Sequence, residues 1–248
     1  MIRIIDSHNH LGGCRIFLGN FTEEAVLDTM EKAGVYGAVL MPFPGAEDVP
    51  AVHDRIAAMA KKYPGRFWGI SSVNPHDATD GFEKESTRAV KELGFKALKL
   101  HSVGHAVNPT SPDAMRLFEL ARNLGVAVCT HTGTGIPFSL PSLLIPAAKK
   151  YPDVPIVMAH AGATLLTQEA IITAQQCDNI YLEMSWCPAN MIQMAINTLG
   201  SSRVMFGVDN LVNMKSDLEK MTSLPISEAQ MEDILSKTAC TAYGLDVS

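Results

Sequence analysis

Ile4-Ile5-Asp6-Ser7-His8-Asn9-His10 is an apolar run that ends in two histidines one residue apart. Read as a β-strand, its side chains alternate between faces, so His8 and His10 project to one side with Asp6 one step below them. Two imidazoles at one strand end can grip a metal ion, but they need partners. The reading gains force only if later strand ends bring further ligands to the same place.

Outward from this stretch, short β-branched or apolar runs recur at Ile2–His8, Gly37–Met41, Phe67–Val73, Ala97–His101, Val126–His131, Ile156–His160, Ile180–Ser185 and Val204–Asp209. Their ends fall roughly every 25–32 residues, about one strand-helix-strand unit each, which implies a parallel sheet. Eight such units predict an α/β protein, a (β/α)8 TIM barrel forming a single domain over residues 1–248. The intervening helices carry start signals. Thr22 precedes Glu23 and Glu24, with Gly34 as the stop; Ser111-Pro112-Asp113 opens a second helix. Ser227-Glu228-Ala229-Gln230 reads as a capping box for a last helix that packs against the barrel wall.

Composition narrows the function classes. The chain is 47% hydrophobic and 19% charged, as a globular protein is, and a net charge of -6 argues against an electrostatic nucleic-acid surface. The five cysteines are odd in number and widely spaced with no Cys-x-x-Cys, which suits reduced thiols. No apolar run approaches the ~18 residues of a membrane span, and the N-terminus lacks a signal-peptide core. The expectation is a cytoplasmic protein without nucleic-acid or membrane partners, with a homodimer as the default assembly.

In a parallel barrel the C-terminal strand ends share one face, where active sites of this fold are built. The first strand brings His8 and His10 there, the fourth Lys99 and His101, the fifth His131, the sixth His160 and the eighth Asp209. Five of the eight histidines thus fall at strand ends. Taken singly, His131 reads as a core histidine and Asp209 as a helix cap; together with His8 and His10 they make a set of three nitrogens and one carboxylate oxygen. That set suits one divalent metal ion, Zn²⁺ first by donor type, with manganese or iron admitted by the same residues. Zinc lowers the pKa of bound water from 15.7 to about 7, so a hydroxide nucleophile exists at neutral pH. Asp209 is the candidate base and His160 the candidate for polarising the substrate.

The pieces His8-x-His10, Lys99-Leu100-His101, Thr130-His131-Thr132-Gly133, His160-Ala161-Gly162 and Phe206-Gly207-Val208-Asp209 together resemble the amidohydrolase superfamily, in its amidohydrolase-2 branch. The resemblance spans nearly the whole chain. It implies His8, His10, His131 and Asp209 as metal ligands and His160 as the catalytic histidine. It also implies either a hydrolase of lactones or amides or a metal-dependent non-oxidative decarboxylase. Ser102 stands where proline is common in the branch, and Asp209 lies between Val208 and Asn210, departures that fall inside the expected pocket.

The expectation drawn from these residues is a metal-dependent hydrolase that attacks a carbonyl C–O or C–N bond of a small organic acid, lactone or amide. The alternative is a decarboxylase of a small carboxylic acid at the same site. Lys99, inward by alternation, is read as ion-paired with Glu183 or Asp6 rather than carbamylated between two metals. Arg15 and Phe17 after strand one, His105 and Asn108 after strand four and Trp186 after strand seven are candidates for the pocket rim; Arg15 reads more readily as a solvated loop residue than as a clamp for a substrate carboxylate, and Trp186 as pocket wall or plain packing.

Overall fold

The computed structural model of the chain describes residues 2–15, 19–77 and 81–247. Nine strands form one sheet: β1 (Ile5–Cys14), β2 (Gly19–Phe21), β3 (Gly37–Pro42), β4 (Phe67–Ser71), β5 (Ala97–Leu100), β6 (Ala127–His131), β7 (Ile156–Ala159), β8 (Ile180–Glu183) and β9 (Val204–Met205). Their order is β2-β1-β3-β4-β5-β6-β7-β8-β9, and all pairs are parallel except β1 with β2. The row then curls back on itself. Ser7 N donates to Phe206 O at 3.1 Å, and Val208 N and Asp209 N donate to His8 O at 3.3 and 2.7 Å, tying the segment after β9 to β1. The eight parallel strands are those expected from the sequence, and a TIM-barrel fold results.

Alternation along the strands separates two apolar layers. Val39, Met41, Ala97, Ala127, Cys129, Val157 and Ala159 share one buried cluster inside the curl. Leu40, Leu98, Leu100, Val128, Ile156 and Met158, each displaced by one residue, pack with the surrounding helices. The helices begin and end as their residues dictate. Thr22 accepts from Ala25 N at the start of Glu23–Ala33, and Gly34 closes it at φ 72°. Ser111 caps Pro112–Leu124, and Ser227 with Gln230 forms the capping box.

Three features depart from the sequence reading. The first strand does not end at His8, because β1 runs on to Cys14 and pairs with β2 in a small antiparallel arm. The last helical segment does not lie on the outer wall: Ala239, Ala242, Tyr243 and Leu245 share the inner cluster with Ile5, Ala97 and Ala127, so it closes the floor of the barrel. Finally, β1 gains one residue on β3 between Asp6 and Asn9. Ile5 pairs with Gly37 and His10 with Met41, so both face inward across the bulge, whereas Asp6 and Asn9 are in register with the helix-side residues Ala38 and Leu40. Asp6 therefore does not sit beneath the histidines. It clamps the bulge, accepting from His8 N at 3.1 Å and Asn9 Nδ2 at 2.7 Å.

Glycine at 69 is required by close packing, since a Cβ there would meet the Phe95 ring at 2.3 Å. Gly69→Ala is expected to cost about 1–3 kcal/mol by overpacking, read from the urea midpoint. Adding Phe95→Leu should recover part of that loss. A double variant no more stable than the additive sum of the singles would show that the contact is not the cause.

Candidate metal centre

At the C-terminal face of the strands lies a cavity of ≈ 480 Å³ whose wall includes His10, His101, His131, His160, Trp186 and Asp209. The site is assembled from strand ends. β1 supplies His8 and His10, β6 supplies His131, and the turn after β7 supplies His160. Asp209 follows the stretch that closes the ring. Three of its residues adopt left-handed backbone, His160 at φ 66°, Trp186 at φ 63° and Asp209 at φ 63°. For non-glycine residues this costs of order 1–3 kcal/mol each. Backbone and side-chain hydrogen bonds hold them there.

One grouping that could hold a cation joins His8, His10 and Asp209, whose ligand atoms lie within 4.8 Å of one another. His10 Nε2 is 3.2 Å and His8 Nε2 3.7 Å from Asp209 Oδ1, and Trp186 Nε1 donates to Asp209 Oδ2 at 2.8 Å. A second grouping, His8 with His160 and Glu183, lies behind it. His131 falls outside both, although its ring centroid is 4.9 Å from that of His160.

Hydrogen bonds fix which ring nitrogens carry protons. Thr134 O, which can only accept, is 2.7 Å from His131 Nε2, so the proton is there and Nδ1 keeps its lone pair. His8 Nδ1 donates to Glu183 Oε2 at 2.9 Å, leaving Nε2 as the lone-pair nitrogen. His160 Nδ1 lies 2.7 Å from Ser185 Oγ, and that hydroxyl donates to Glu183 Oε2 at 2.9 Å. The His160 proton is therefore on Nδ1 and its Nε2 is left as the acceptor.

Glu183 organises this layer. Fully buried, it accepts from His8, from Ser185 Oγ, from His160 N at 3.1 Å and from Ser185 N at 2.5 Å. Four donors aimed at two oxygens suit an ionised carboxylate. Gly207 makes room for it, because a Cβ there would sit 2.5 Å from Glu183 Oε1.

Electrostatics suits a cation. Burial pushes His8 and His160 well below the usual imidazole range and His131 down to about 4, so these rings are neutral and ligand-competent at pH 7. Burial would raise the Asp209 carboxyl, but the surrounding imidazoles His160, His10 and His8 override it and hold the group well below the usual carboxylate range. Neutral nitrogens, an ionised oxygen and outer hydrogen bonds that set the tautomers together fit a divalent ion.

Several sequence readings change. Lys99 is buried, but its Nζ lies 3.1 Å from His8 Nε2 and 3.5 Å from Cys129 Sγ, and no ion pair with Glu183 or Asp6 is found among the described residues. Glu183 is committed to His8 and Ser185, and Asp6 to the bulge. Arg15 is exposed, pairs with Glu47 at 2.6 Å and does not line the cavity. Phe17 lies outside the described residues. Of the two readings of Trp186, the pocket wall is the one the structure has, and the ring also orients Asp209, a role sequence reasoning missed along with that of Ser185.

The family model described as Amidohydrolase matches residues 5–245, and the chain belongs to that family. A curated relative, 2-amino-3-carboxymuconate-6-semialdehyde decarboxylase of Dictyostelium discoideum, is 31% identical over 80 residues, covering 32% of this chain and 22% of that protein. Among solved structures, 5-carboxyvanillate decarboxylase from Sphingomonas paucimobilis superposes with a TM-score of 0.79 at 14% identity, over 99% of this chain and 100% of that one. A dihydroxybenzoic acid decarboxylase from Polaromonas, with bound manganese and the inhibitor 2-nitroresorcinol, gives 0.75 at 17% identity over 99% and 98%. These proteins break C–C bonds. These findings contradict the expected hydrolase and favour the alternative reading. Zinc, expected from donor type, is likewise not the ion named with the Polaromonas enzyme. Among the described residues no helix is long and apolar enough to cross a membrane.

Glu183→Gln keeps the shape but replaces one acceptor oxygen with a donor facing donors. Manganese affinity, followed by electron paramagnetic resonance, should fall about 10–100-fold with the circular dichroism spectrum unchanged. Unaltered affinity would remove Glu183 from the role given to it above.

Proposed function

We propose that the chain is a metal-dependent, non-oxidative decarboxylase of a small planar carboxylate, a lyase. The observation that carries this reading is the composition of the cavity wall. Its described residues include imidazoles, aromatic rings and Asp209 but no lysine or arginine. A substrate carboxylate at this wall therefore meets no fixed side-chain cation; an ion in the ligand cluster, behind which Lys99 is buried against His8, would supply the positive charge there. The activities named for the curated relative and for the solved structures above support carboxylate cleavage.

His8 and His10 through Nε2, His131 through its lone-pair Nδ1 and Asp209 would hold the ion. A divalent ion there supplies Lewis acidity that draws off the charge left when the C–C bond breaks. Three nitrogens and one oxygen accept zinc or manganese, and the manganese of the Polaromonas enzyme favours the latter. The rest is done by the protein. Phe43, stacked on His10 at 4.3 Å, and Trp186 give the cavity flat apolar walls. His160 takes up a proton at Nε2 as the anionic substrate arrives, and its Nδ1–H, bonded through Ser185 to Glu183, steadies the resulting cation. CO₂ departs, the electron pair of the broken bond stays on carbon, and His160 returns the proton to that carbon. Asp209, ionised and pinned by Trp186, stays unprotonated and holds charge rather than delivering the proton.

Incubation with a panel of aromatic and 3-oxo carboxylates should release CO₂ in step with substrate loss, only in metal-loaded protein. Asp209→Asn should abolish turnover, and His160→Gln should lower kcat by about 10²–10⁴-fold. Acid release from lactones or amides without CO₂ would reject the reading.

The proton inventory also sets a pH dependence. An imidazole whose pKa is depressed by burial stays neutral as the pH drops through 6.5 and protonates only near its own lower value, about 4 for His131. The share of metal affinity that depends on His8 and His131 should thus be nearly flat from about pH 7.5 to 5.5 and collapse below about pH 5. Loss of that share near pH 6.5 would mean that His8 and His131 are solvated, ordinary histidines.

A further inference from the structure

Large apolar side chains in contact with water are not scattered over the surface of this chain. Among the described residues eight are exposed, and five of these line the cavity or lie within two residues of one that does: Val103, Ile136, Leu165, Trp186 and Val212. They stand on the loops that follow β5, β6, β7, β8 and β9, five consecutive strands, and so border one side of the mouth. Single exposed hydrophobics are ordinary, but a group gathered round one opening marks a binding surface.

The loops are built to hold these side chains out. Leu165 is 90% exposed and ends a turn in which His160, Ala161, Ala163 and Thr164 all take positive φ, a backbone that non-glycine residues adopt only at a cost. Thr164 Oγ1 donates to Trp186 O at 2.7 Å and Leu165 N to Ala163 O at 2.8 Å, which fix the turn. Ile136, 64% exposed, sits on a loop whose neck is closed by the bond from Gly133 N to Ser139 O at 2.8 Å. Val212, 84% exposed, is held by its N–H on Asn210 Oδ1 at 3.2 Å. Backbone pinned in this way keeps three aliphatic side chains in water, where they add nothing to the core.

The cavity behind this rim is large for a small acid. Its ≈ 480 Å³ falls within the range of about 300–1,000 Å³ that holds drug-sized ligands, so one aromatic ring with its carboxylate fills only part of it. Val103 and Trp186 belong to both wall and rim, and Trp186 reaches from Asp209, to which its Nε1 donates, out to solvent. One apolar surface therefore runs from the ligand cluster to the outside. A second copy of the chain seated on the rim would shut the mouth, whereas a substituent leaving through it covers the same side chains and keeps the site open to exchange.

We propose that the substrate carries an apolar substituent, an alkyl chain or a second ring, at the end opposite its carboxylate, and that Val103, Ile136, Leu165, Trp186 and Val212 form the subsite that takes it. The inference rests on the decarboxylase reading, which puts the carboxylate at the ligand cluster and so points the far end of the substrate at the rim. Each methylene that passes the rim leaves water, which adds affinity without touching the bond that breaks.

Calorimetric titration of manganese-loaded protein with benzoate and with 4-ethyl-, 4-propyl- and 4-butylbenzoate tests the subsite. Affinity should rise about 2–4-fold with each methylene. The double variant Leu165→Ser/Val212→Ser, with both changes at exposed positions, should bind 4-butylbenzoate about 5–30-fold more weakly and benzoate as the wild type does. Ile136→Ser, on another loop, repeats the test should that variant not fold. A flat series, or a rise that survives in the variant, overturns the subsite and leaves the decarboxylase reading standing. Sedimentation of the same samples gives a further outcome: a wild-type dimer that comes apart in the double variant assigns the rim to a second copy and overturns the subsite. If no probe binds, or all bind equally well without manganese, the decarboxylase reading falls and the inference with it.

Discussion

The buried carboxylate of Glu183 is the constraint on which this site depends. A charge placed where water cannot reach is tolerated only if every lone pair is answered, and here four donors answer it. The four donors come from three parts of the working surface: the His8 ring on β1, the backbone of His160 after β7, and Ser185, which gives both its backbone N–H and its hydroxyl. Through one oxygen, Oε2, the proton positions of His8 and His160 are both decided. The glycine at 207 belongs to the same device, because the carboxylate occupies the space that a side chain on the closing segment would fill.

Around that anchor, the neutral histidines divide the labour by tautomer. A ring that donates through one nitrogen to a carboxylate or carbonyl keeps a lone pair on the other, as His8 and His131 do. His160 instead ties its Nδ1–H to Ser185 and through it to Glu183. In His101 a backbone N–H takes the Nδ1 lone pair. Burial keeps these four rings neutral at pH 7, so chemistry is assigned by neighbours and not by titration.

The barrel was legible because its strands obey a period of two and its helices carry their own caps, signals that are local. What was not legible is non-local. The arm of β1 and β2 passes through Gly12 and Gly13, which read as a loop until pairing with residues 19–21 is known. The floor helix has the same amphipathic signature whether it packs outside or beneath. Among site residues, His8, His10 and Asp209 announced themselves at strand ends and come together, whereas His131 stands beside the grouping and not within it. Glu183 was visible as an inward carboxylate but was matched to the wrong partner, because alternation gives a face and not a neighbour. Hydrolase and decarboxylase share a ligand set, so no count of ligands could separate them.

The extra residue in β1 between Asp6 and Asn9 bears on how such a barrel tolerates change. Without it, the side chains that pack the floor and those that line the mouth would be locked in one phase along the strand, and any slip that repaired one would turn the other outward. The bulge works as a coupling that lets two gears of different setting share an axle. Ile5 answers to the packing of the floor, His10 to the geometry of the mouth, and the lower half of the barrel can drift in sequence without turning the histidines away from their task.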